Sequence, residues 1–275
     1  MGFRLFAACL AALVMAGCVY RPGPATVPMR TLAISAAAAE PRCLVVFLPG
    51  RGDTPEQFIR NGFPEKLRRA GSRCAMLGVD SHLGYFLDRT ITERLREDVI
   101  APARARGFEE IWLVGISLGG FGSLLYTKEH PGEIAGIVAL APFLGEERGD
   151  FREFQDWLAG YGRPAPDHPP LFLAYGNGDR FAGIDGRLAA LLADDHVFHV
   201  RGGHTWAAWR RAWDVFLRSP YVPGLDLTLP GTGASHRHPP APAAGAGRPW
   251  AGCRRSGSPS SARGPRRACS SKPRS

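Results

Sequence analysis

The sequence predicts an α/β domain with a mostly parallel sheet and helices on both of its faces. Two observations predict this class. Six short apolar runs alternate along the chain with stretches of helical periodicity, as in repeated strand–helix–strand units. The first run, CLVVFL at residues 43–48, is apolar throughout, which is typical of a strand buried on both faces. The connections between parallel strands are expected to be right-handed.

The elements follow in order along the chain. A capping box at Thr54–Gln57, with Pro55 at the first helical position, opens the first helix, and Gly71 ends it. The last helix carries four aromatic residues along one stripe. The predicted strands cover residues 43–48, 74–79, 111–116, 134–140, 171–175 and 197–200. The predicted helices cover residues 54–69, 91–106, 118–130, 151–158, 186–193 and 205–217.

The first 18 residues predict export. Arg4 precedes an apolar run too short to span a bilayer, and the run ends in VMAGC with Cys18 as its last residue. This ending resembles a bacterial lipoprotein signal, in which the cysteine is lipidated and becomes the new N-terminus. Plain secretory cleavage and an uncleaved membrane anchor are the alternatives. The expected location is the bacterial cell envelope, in the periplasm, with the lipid on Cys18 holding the protein to a membrane.

The rest of the chain divides into a linker at 19–41, the α/β domain at 42–222 and a disordered tail at 223–275. After residue 230 the chain has nine Lys and Arg but no Asp, Glu, Leu, Ile, Val or Phe. It therefore has too little apolar surface to offset the entropy of ordering. The tail also resembles out-of-frame translation of a GC-rich gene, and a basic segment that binds anionic lipid or polymer is the functional alternative.

The formal net charge of +9 lies in this tail, because the preceding residues carry 25 Lys and Arg against 25 Asp and Glu. The domain is thus neutral, and no nucleic-acid partner is expected. Two of the six cysteines, Cys43 and Cys74, lie at the starts of predicted strands. In an oxidising compartment they form either a disulfide or two buried thiols, and the sequence leaves both open.

The segment GISLG at residues 115–119 matches the pattern of a nucleophile elbow. The apolar strand IWLVGI precedes it and a helix follows, so Ser117 would project from a sharp strand-to-helix turn. The small residues at 115 and 119 suit the close approach of the backbone to itself in such a turn. The sequence therefore predicts Ser117 as a nucleophile.

A serine nucleophile needs a base, and the base needs a group that orients it. His204 follows two glycines after the last strand and is the predicted base, while His82, after an earlier strand, is the alternative. Asp179 lies in a glycine-rich turn after the strand at 171–175 and is the predicted acid. Asp185 is interpreted as a solvated charge beside a helix.

An acyl-transfer site also needs donors for the developing oxyanion. The predicted donors are the backbone amide of Leu118, directly after the nucleophile, and that of Arg51, in the loop after the first core strand. Asp53, in the same loop, is expected to form a local contact.

Four ordered motifs, FLPGRGDTPEQF, GISLGGFGS, YGNGDRF and GGHTW, together resemble an α/β-hydrolase of the esterase and thioesterase kind. The resemblance covers residues 42–220. It implies the α/β-hydrolase fold, with a mostly parallel sheet of six to eight strands, and two-step acyl hydrolysis without metal or other cofactor. Leu48 and Pro49 stand where the family usually has a histidine before the oxyanion glycine. The residues before Cys43 show no obvious strand, so a trimmed sheet is expected.

The predicted function is hydrolysis of short-to-medium acyl esters or thioesters, with a small-molecule acyl substrate. Four aromatic residues are candidates for the pocket lining, namely Tyr85, Phe86, Phe121 and Trp206. A peptidase or lysophospholipase on the same scaffold is one alternative, and a non-catalytic envelope lipoprotein that serves as a binding module is another. The oligomeric state is left open.

Overall fold

A seven-stranded sheet forms the centre of the protein. The computed structural model describes residues 23–35, 42–145, 151–162 and 168–225. The strand order is β1-β3-β2-β4-β5-β6-β7. The first strand pairs antiparallel with β3, and all other neighbouring strands are parallel. The predicted α/β class and mostly parallel sheet are therefore confirmed.

The bounds of the elements follow in chain order. The strands are β1 Thr31–Ser35, β2 Cys43–Leu48, β3 Ala75–Val79, β4 Glu110–Ile116, β5 Gly136–Leu140, β6 Leu171–Gly176 and β7 Val197–Val200. The helices are α1 Glu56–Arg60, α2 Phe63–Arg69, α3 Leu83–Leu87, α4 Ile91–Leu95, α5 Ala101–Ala105, α6 Leu118–Glu129, α7 Arg152–Ala159, α8 Ala182–Ala189 and α9 Trp206–Phe216. A π-helical turn, Arg96–Ile100, joins α4 to α5, and short 3₁₀ turns lie at Gly160–Gly162 and Asp194–His196.

The core lies against the central strands. Every residue of β2, β5 and β6 is buried, as expected for parallel strands covered on both faces. The carboxyl ends of neighbouring strands are aligned, since Leu48 pairs with Gly115 and Ile116 pairs with Leu140. The loops that follow β2, β4, β5 and β6 therefore meet at one edge of the sheet, which is where ligand sites of open α/β sheets lie.

Strand β1 lies within residues 19–41, which were predicted to be a linker only. Residues 31–35 form the edge strand, and Thr31 pairs with Val79. The segment TLAIS is short, and none of the side chains described in it is fully buried. This segment forms a strand because it pairs with β3, and such pairing is not indicated by the pattern of apolar residues within the segment itself. The sheet is thus less trimmed than expected.

Two helices also differ from the prediction. The helix expected at 54–69 is divided into α1 and α2 at Gly62, whose φ of 75° is left-handed. It begins at Glu56 with Pro55 as its N-cap residue, and no side-chain capping bond is found there. The helix expected at 186–193 is α8, which begins four residues earlier, at Ala182, with Phe181 as its N-cap residue.

A disulfide joins Cys43, the first residue of β2, to Cys74, directly before β3. Of the two alternatives that the sequence left open, the structure contains the disulfide.

The domain continues slightly beyond its predicted end at 222, because the carbonyl of Gly224 accepts a hydrogen bond from the amide of Arg73 at 3.3 Å. The predicted signal with Cys18, and the tail from residue 226, lie outside the described residues. Within the described part, no helix is long and apolar enough to cross a membrane.

Candidate active site

Ser117 occupies a strained turn between β4 and α6. Its φ of 52° and ψ of −113° lie in a region that residues with a side chain rarely adopt. Three backbone hydrogen bonds hold it there. The amide of Ser117 donates to the carbonyl of Leu140 at 3.0 Å, and its own carbonyl accepts from the amides of Phe121 at 3.1 Å and Phe143 at 2.9 Å. The turn thereby directs the Ser117 side chain out of the sheet edge.

Two glycines allow this turn to form. A Cβ atom on Gly115 would lie 2.4 Å from the carbonyl oxygen of Gly119. One on Gly119 would lie 2.1 Å from the carbonyl oxygen of Leu48. Both distances are far below any van der Waals contact. A larger residue at Gly115 would therefore force the elbow open, and one at Gly119 would push the elbow away from β2. The close approach of the backbone thus explains why the predicted pattern has small residues at positions 115 and 119.

Ser117, His204 and Asp179 are brought together across 87 residues of chain. The Nε2 of His204 lies 2.9 Å from Ser117 Oγ. The Nδ1 of His204 lies 2.9 Å from Oδ2 and 3.1 Å from Oδ1 of Asp179. This is a continuous hydrogen-bonded chain from a hydroxyl through an imidazole to a carboxylate, at distances normal for strong hydrogen bonds.

The carboxylate of Asp179 is held by the turn after β6. Its backbone amide donates to the carbonyl of Gly176 at 2.9 Å, and the amide of Phe181 donates to its Oδ1 at 2.9 Å. The Asp179 side chain is 0% exposed, and that of His204 is 11% exposed. The carboxylate of Asp179 is therefore shielded from water, whereas His204 keeps a small exposed fraction and Ser117 is 6% exposed.

The alternative base, His82, has a different role. Its Nδ1 accepts a hydrogen bond from the amide of Gly84 at 3.1 Å, so the side chain caps the start of α3. Its ring also packs against Tyr85, with the ring centroids 4.6 Å apart. In the described residues, the histidine that reaches Ser117 is His204.

The predicted oxyanion loop lies against Ser117. A Cβ atom on Gly50 would lie 3.4 Å from the Cβ of Ser117, so the backbone that leads into Arg51 passes directly beside it. Leu118 is the first residue of α6, and the amide of a first helical residue has no acceptor within its helix. Both predicted donor amides therefore belong to backbone near Ser117.

Two further carboxyl groups lie near Ser117, His204 and Asp179, which we call the candidate triad residues. Asp53 accepts a hydrogen bond from Trp206 Nε1 at 3.2 Å, so its side chain has a partner far away in the chain and not the local contact that was expected. Partial burial raises the pKa of Asp53, while the Trp206 hydrogen bond and the nearby His204 act in the opposite direction. The prediction that Asp185 is a solvated charge is wrong, because this residue is 0% exposed. Burial, and then the charge of Asp179, raise the pKa of Asp185 to about 8.

Two further aromatic residues, Phe143 and Phe181, lie at the site. The ring of Phe181 meets the ring of His204 edge to face, with centroids 4.9 Å apart. The ring of Phe143 lies 5.7 Å from that of Phe181. Each follows the end of a strand by a few residues, and that position at the functional edge was the available signal. Of the aromatic residues that the sequence suggested, Tyr85 is fully buried, and Trp206 packs against Phe58 and Phe63.

A cavity of about 450 Å³ lies between α7 and α8. None of Ser117, His204 and Asp179 lines it, so it is separate from the hydrogen-bonded chain. Among the described residues, no group of three or more His, Cys, Asp or Glu side chains is arranged to hold a metal ion.

Known proteins similar to the chain share this architecture. The family model described as alpha/beta hydrolase fold matches residues 44–202. No curated protein matches the chain. Among solved structures, the esterase PE8 is 17% identical with a TM-score of 0.52, over 70% of this chain and 100% of that one.

Two further solved structures are comparably similar. An S-formylglutathione hydrolase from Staphylococcus aureus is 11% identical with a TM-score of 0.51, over 71% of this chain and 97% of that one. A predicted CIB-like hydrolase from Thermoplasma acidophilum is 15% identical with a TM-score of 0.50, over 69% of this chain and 94% of that one. At these identities the likeness establishes the fold.

Proposed function

The chain belongs to the alpha/beta hydrolase fold family, and from that premise we propose that it is a serine hydrolase of carboxylic esters. The substrates are short-to-medium acyl esters or thioesters, and the reaction passes through an acyl-enzyme on Ser117. One observation carries the proposal. Ser117 Oγ, His204 and the buried carboxylate of Asp179 form one hydrogen-bonded chain with both links at 2.9 Å.

Acylation begins at Ser117. With the Nδ1 proton of His204 donated to Asp179, Nε2 is the acceptor that takes the proton of the Ser117 hydroxyl. The Oγ–carbon bond forms at the ester carbonyl while His204 becomes an imidazolium. Asp179 stabilises that cation and holds the ring, and its burial excludes competing water.

The negative charge of the tetrahedral intermediate resides on the former carbonyl oxygen. The backbone amides of Leu118 and Arg51 are the proposed donors to it. Such donors are fixed before the reaction begins, so they stabilise the developing charge without reorganisation. The close packing of Gly50 against Ser117 supports this assignment.

The intermediate collapses when the bond to the leaving alcohol or thiol breaks. The imidazolium of His204 donates its Nε2 proton to that leaving group. Water then attacks the acyl carbon and gives its proton to Nε2. The carbon–Oγ bond breaks as the imidazolium donates that proton to Ser117 Oγ, and the acid is released as product. The cycle restores the starting protonation of Ser117 and His204.

Labelling with a fluorophosphonate probe tests the proposal. The purified protein is expected to react stoichiometrically, since only a serine activated by a base attacks the phosphorus at a useful rate. The Ser117→Ala variant is expected to lose labelling, whereas Ser219→Ala, a change at a half-buried serine in the turn after α9, is expected to keep it. A correctly folded wild type that fails to label contradicts the proposal and favours a non-catalytic binding module.

We also propose that the protein is exported to the cell envelope and anchored to a membrane through a lipid on Cys18. The disulfide between Cys43 and Cys74 supports export, because such bonds persist in oxidising compartments. Metabolic labelling with an alkyne fatty acid tests the anchor. Wild type is expected to incorporate the label and Cys18→Ala to lose it, and equal incorporation by the two contradicts the proposed anchor.

A further inference from the structure

Four phenylalanine rings form a surface beside the nucleophile. We call Phe121, Phe143, Phe151 and Phe181 the aromatic wall. Phe121 and Phe143 donate their backbone amides to the carbonyl of Ser117, and Phe181 donates its amide to Asp179. The wall is thus anchored to the backbone around the triad residues.

The rings contact one another mainly edge to face. The ring centroid of Phe143 lies 5.9 Å from Phe121, 5.8 Å from Phe151 and 5.7 Å from Phe181. The corresponding interplanar angles are 83°, 87° and 63°. Phe143 is therefore the centre of the wall. Such separations and angles are the ones that aromatic pairs prefer, because the positive edge of one ring meets the negative face of the next.

The end of the wall at Phe181 is fixed on two sides. Its ring meets His204 at 84°, with the centroids 4.9 Å apart. The guanidinium carbon of Arg180 lies over the same ring, 4.9 Å from its centroid. A cation over one face and an imidazole at the edge hold Phe181 in place, so the wall is a preformed surface.

The rings of the aromatic wall are more exposed than the aromatic rings of the core. The core rings Phe47, Phe58, Phe63 and Trp213 are each 0% exposed. All four rings of the wall are half-buried and keep part of their surface accessible. Accessible apolar surface that adjoins a nucleophile is the usual lining of a substrate pocket.

We propose that the aromatic wall is the acyl-binding side of the site and that it selects acyl groups carrying an aromatic ring. This inference rests on the proposed ester hydrolysis. A flat guest ring repeats the edge-to-face contacts that Phe143 already makes, and so gains more than its apolar area alone provides. A saturated ring of similar area gains only from burial.

A matched pair of substrates tests the selection. The 4-nitrophenyl esters of phenylacetic and cyclohexylacetic acid present rings of similar size, and dividing by their rates with hydroxide removes the difference in intrinsic reactivity. We expect the corrected kcat/KM of the wild type to favour the phenyl ester by about three- to tenfold. Phe143→Leu and Phe151→Leu are expected to bring this ratio to within about twofold of one, because leucine is apolar but has no ring.

Phe198→Leu, a change at a half-buried ring of β7 outside the wall, is the matched control and is expected to keep the wild-type ratio. Circular dichroism and fluorophosphonate labelling verify that each variant is folded and has an active serine. A wild-type ratio near one, an unchanged ratio in both wall variants, or a labelled enzyme that hydrolyses neither ester overturns the inference. Absence of labelling in the wild type instead overturns the proposed function on which it rests.

Discussion

At the scale of single residues, the backbone strain at Ser117 is balanced by its surroundings. Its positive φ is an unfavourable conformation for a residue with a side chain, at a cost of order 1–3 kcal/mol. Hydrogen bonds from Phe121 and Phe143, and the space left by Gly115 and Gly119, maintain it. The strain therefore has a use, since it presents the hydroxyl to His204.

The role proposed for Asp179 predicts the effect of a neutral replacement. Asp179→Asn keeps the size of the side chain but removes the charge that stabilises the imidazolium and favours the wrong tautomer of His204. We expect kcat for a 4-nitrophenyl ester to fall by about 10⁴-fold with little change in the melting temperature. Asp194→Asn, at an exposed aspartate, is the control. A variant of Asp179 that retains the wild-type rate would exclude it as the orienting acid.

The buried carboxyl of Asp185 predicts how stability depends on pH. Burial raises the pKa of Asp185 to about 8 in the folded protein, whereas the same carboxyl in an unfolded chain has its ordinary pKa of about 3.8. Between these values the folded state keeps a proton that the unfolded state has released. The contribution to the free energy of unfolding is therefore fully present below about pH 4 and declines as pH rises to about 8, by up to about 1.4 kcal/mol per pH unit.

Urea unfolding from pH 5 to pH 8 measures this slope. Asp185→Asn has no proton to lose, so its stability is expected to decline less steeply over the same range. The exposed Asp195 offers the matched control, and Asp195→Asn is expected to retain the wild-type slope between pH 5 and pH 8. Parallel curves for the wild type and Asp185→Asn would show that Asp185 is already ionised in the folded protein.

At the scale of elements, the disulfide connects β2 to the start of β3 across a sequence separation of 31 residues. It also lies beneath the end of the domain, since a Cβ atom on Gly224 would be 2.5 Å from Cys74 Sγ. The bond therefore restrains a loop of the unfolded chain and supports the last described segment.

We expect the double variant Cys43→Ala/Cys74→Ala to lose about 2–4 kcal/mol of unfolding free energy, because the unfolded chain regains the conformations that the cross-link excluded. The measurement is the urea midpoint with and without reductant. Reductant should lower the midpoint of the wild type to that of the variant and leave the variant unchanged. If the oxidised wild type and the variant unfold at the same midpoint, the bond contributes no stability.

At the scale of the whole molecule, Ser117, Asp179 and His204 all lie in the part of the chain that the structure describes, before residue 226. The chain divides into one unit at Met1–Pro230 and another at Gly231–Ser275. The second unit contains nine basic and no acidic residues. Its composition lacks the apolar side chains that a core needs.

We expect a chain that ends at Pro230 to keep the melting temperature and the fluorophosphonate labelling rate of the full-length protein. Removing nine positive charges should also weaken any adsorption to anionic vesicles. Both chains are compared at the same ionic strength. A truncated chain that unfolds at a lower temperature would show that the second unit stabilises the first.

Much of the fold was predictable from local pattern. Strands such as Cys43–Leu48 are continuously apolar because both of their faces are covered, and this leaves a strong signal. Strand β1 left only a weak apolar signal in the sequence, because its pairing with β3, and not the burial of its own side chains, stabilises it as a strand. The division between α1 and α2 depended on a left-handed Gly62, a conformation that glycine permits but does not require.

The candidate site shows the same division. The sequence by itself determined the chain order of the proposed nucleophile, acid and base, because each candidate follows a strand whose carboxyl end lies at one sheet edge. Only the tertiary structure decided between His204 and His82, paired Cys43 with Cys74, and buried Asp185. These outcomes depend on distances between residues that are far apart in the chain. A local pattern of apolar and polar residues contains no information about such distances.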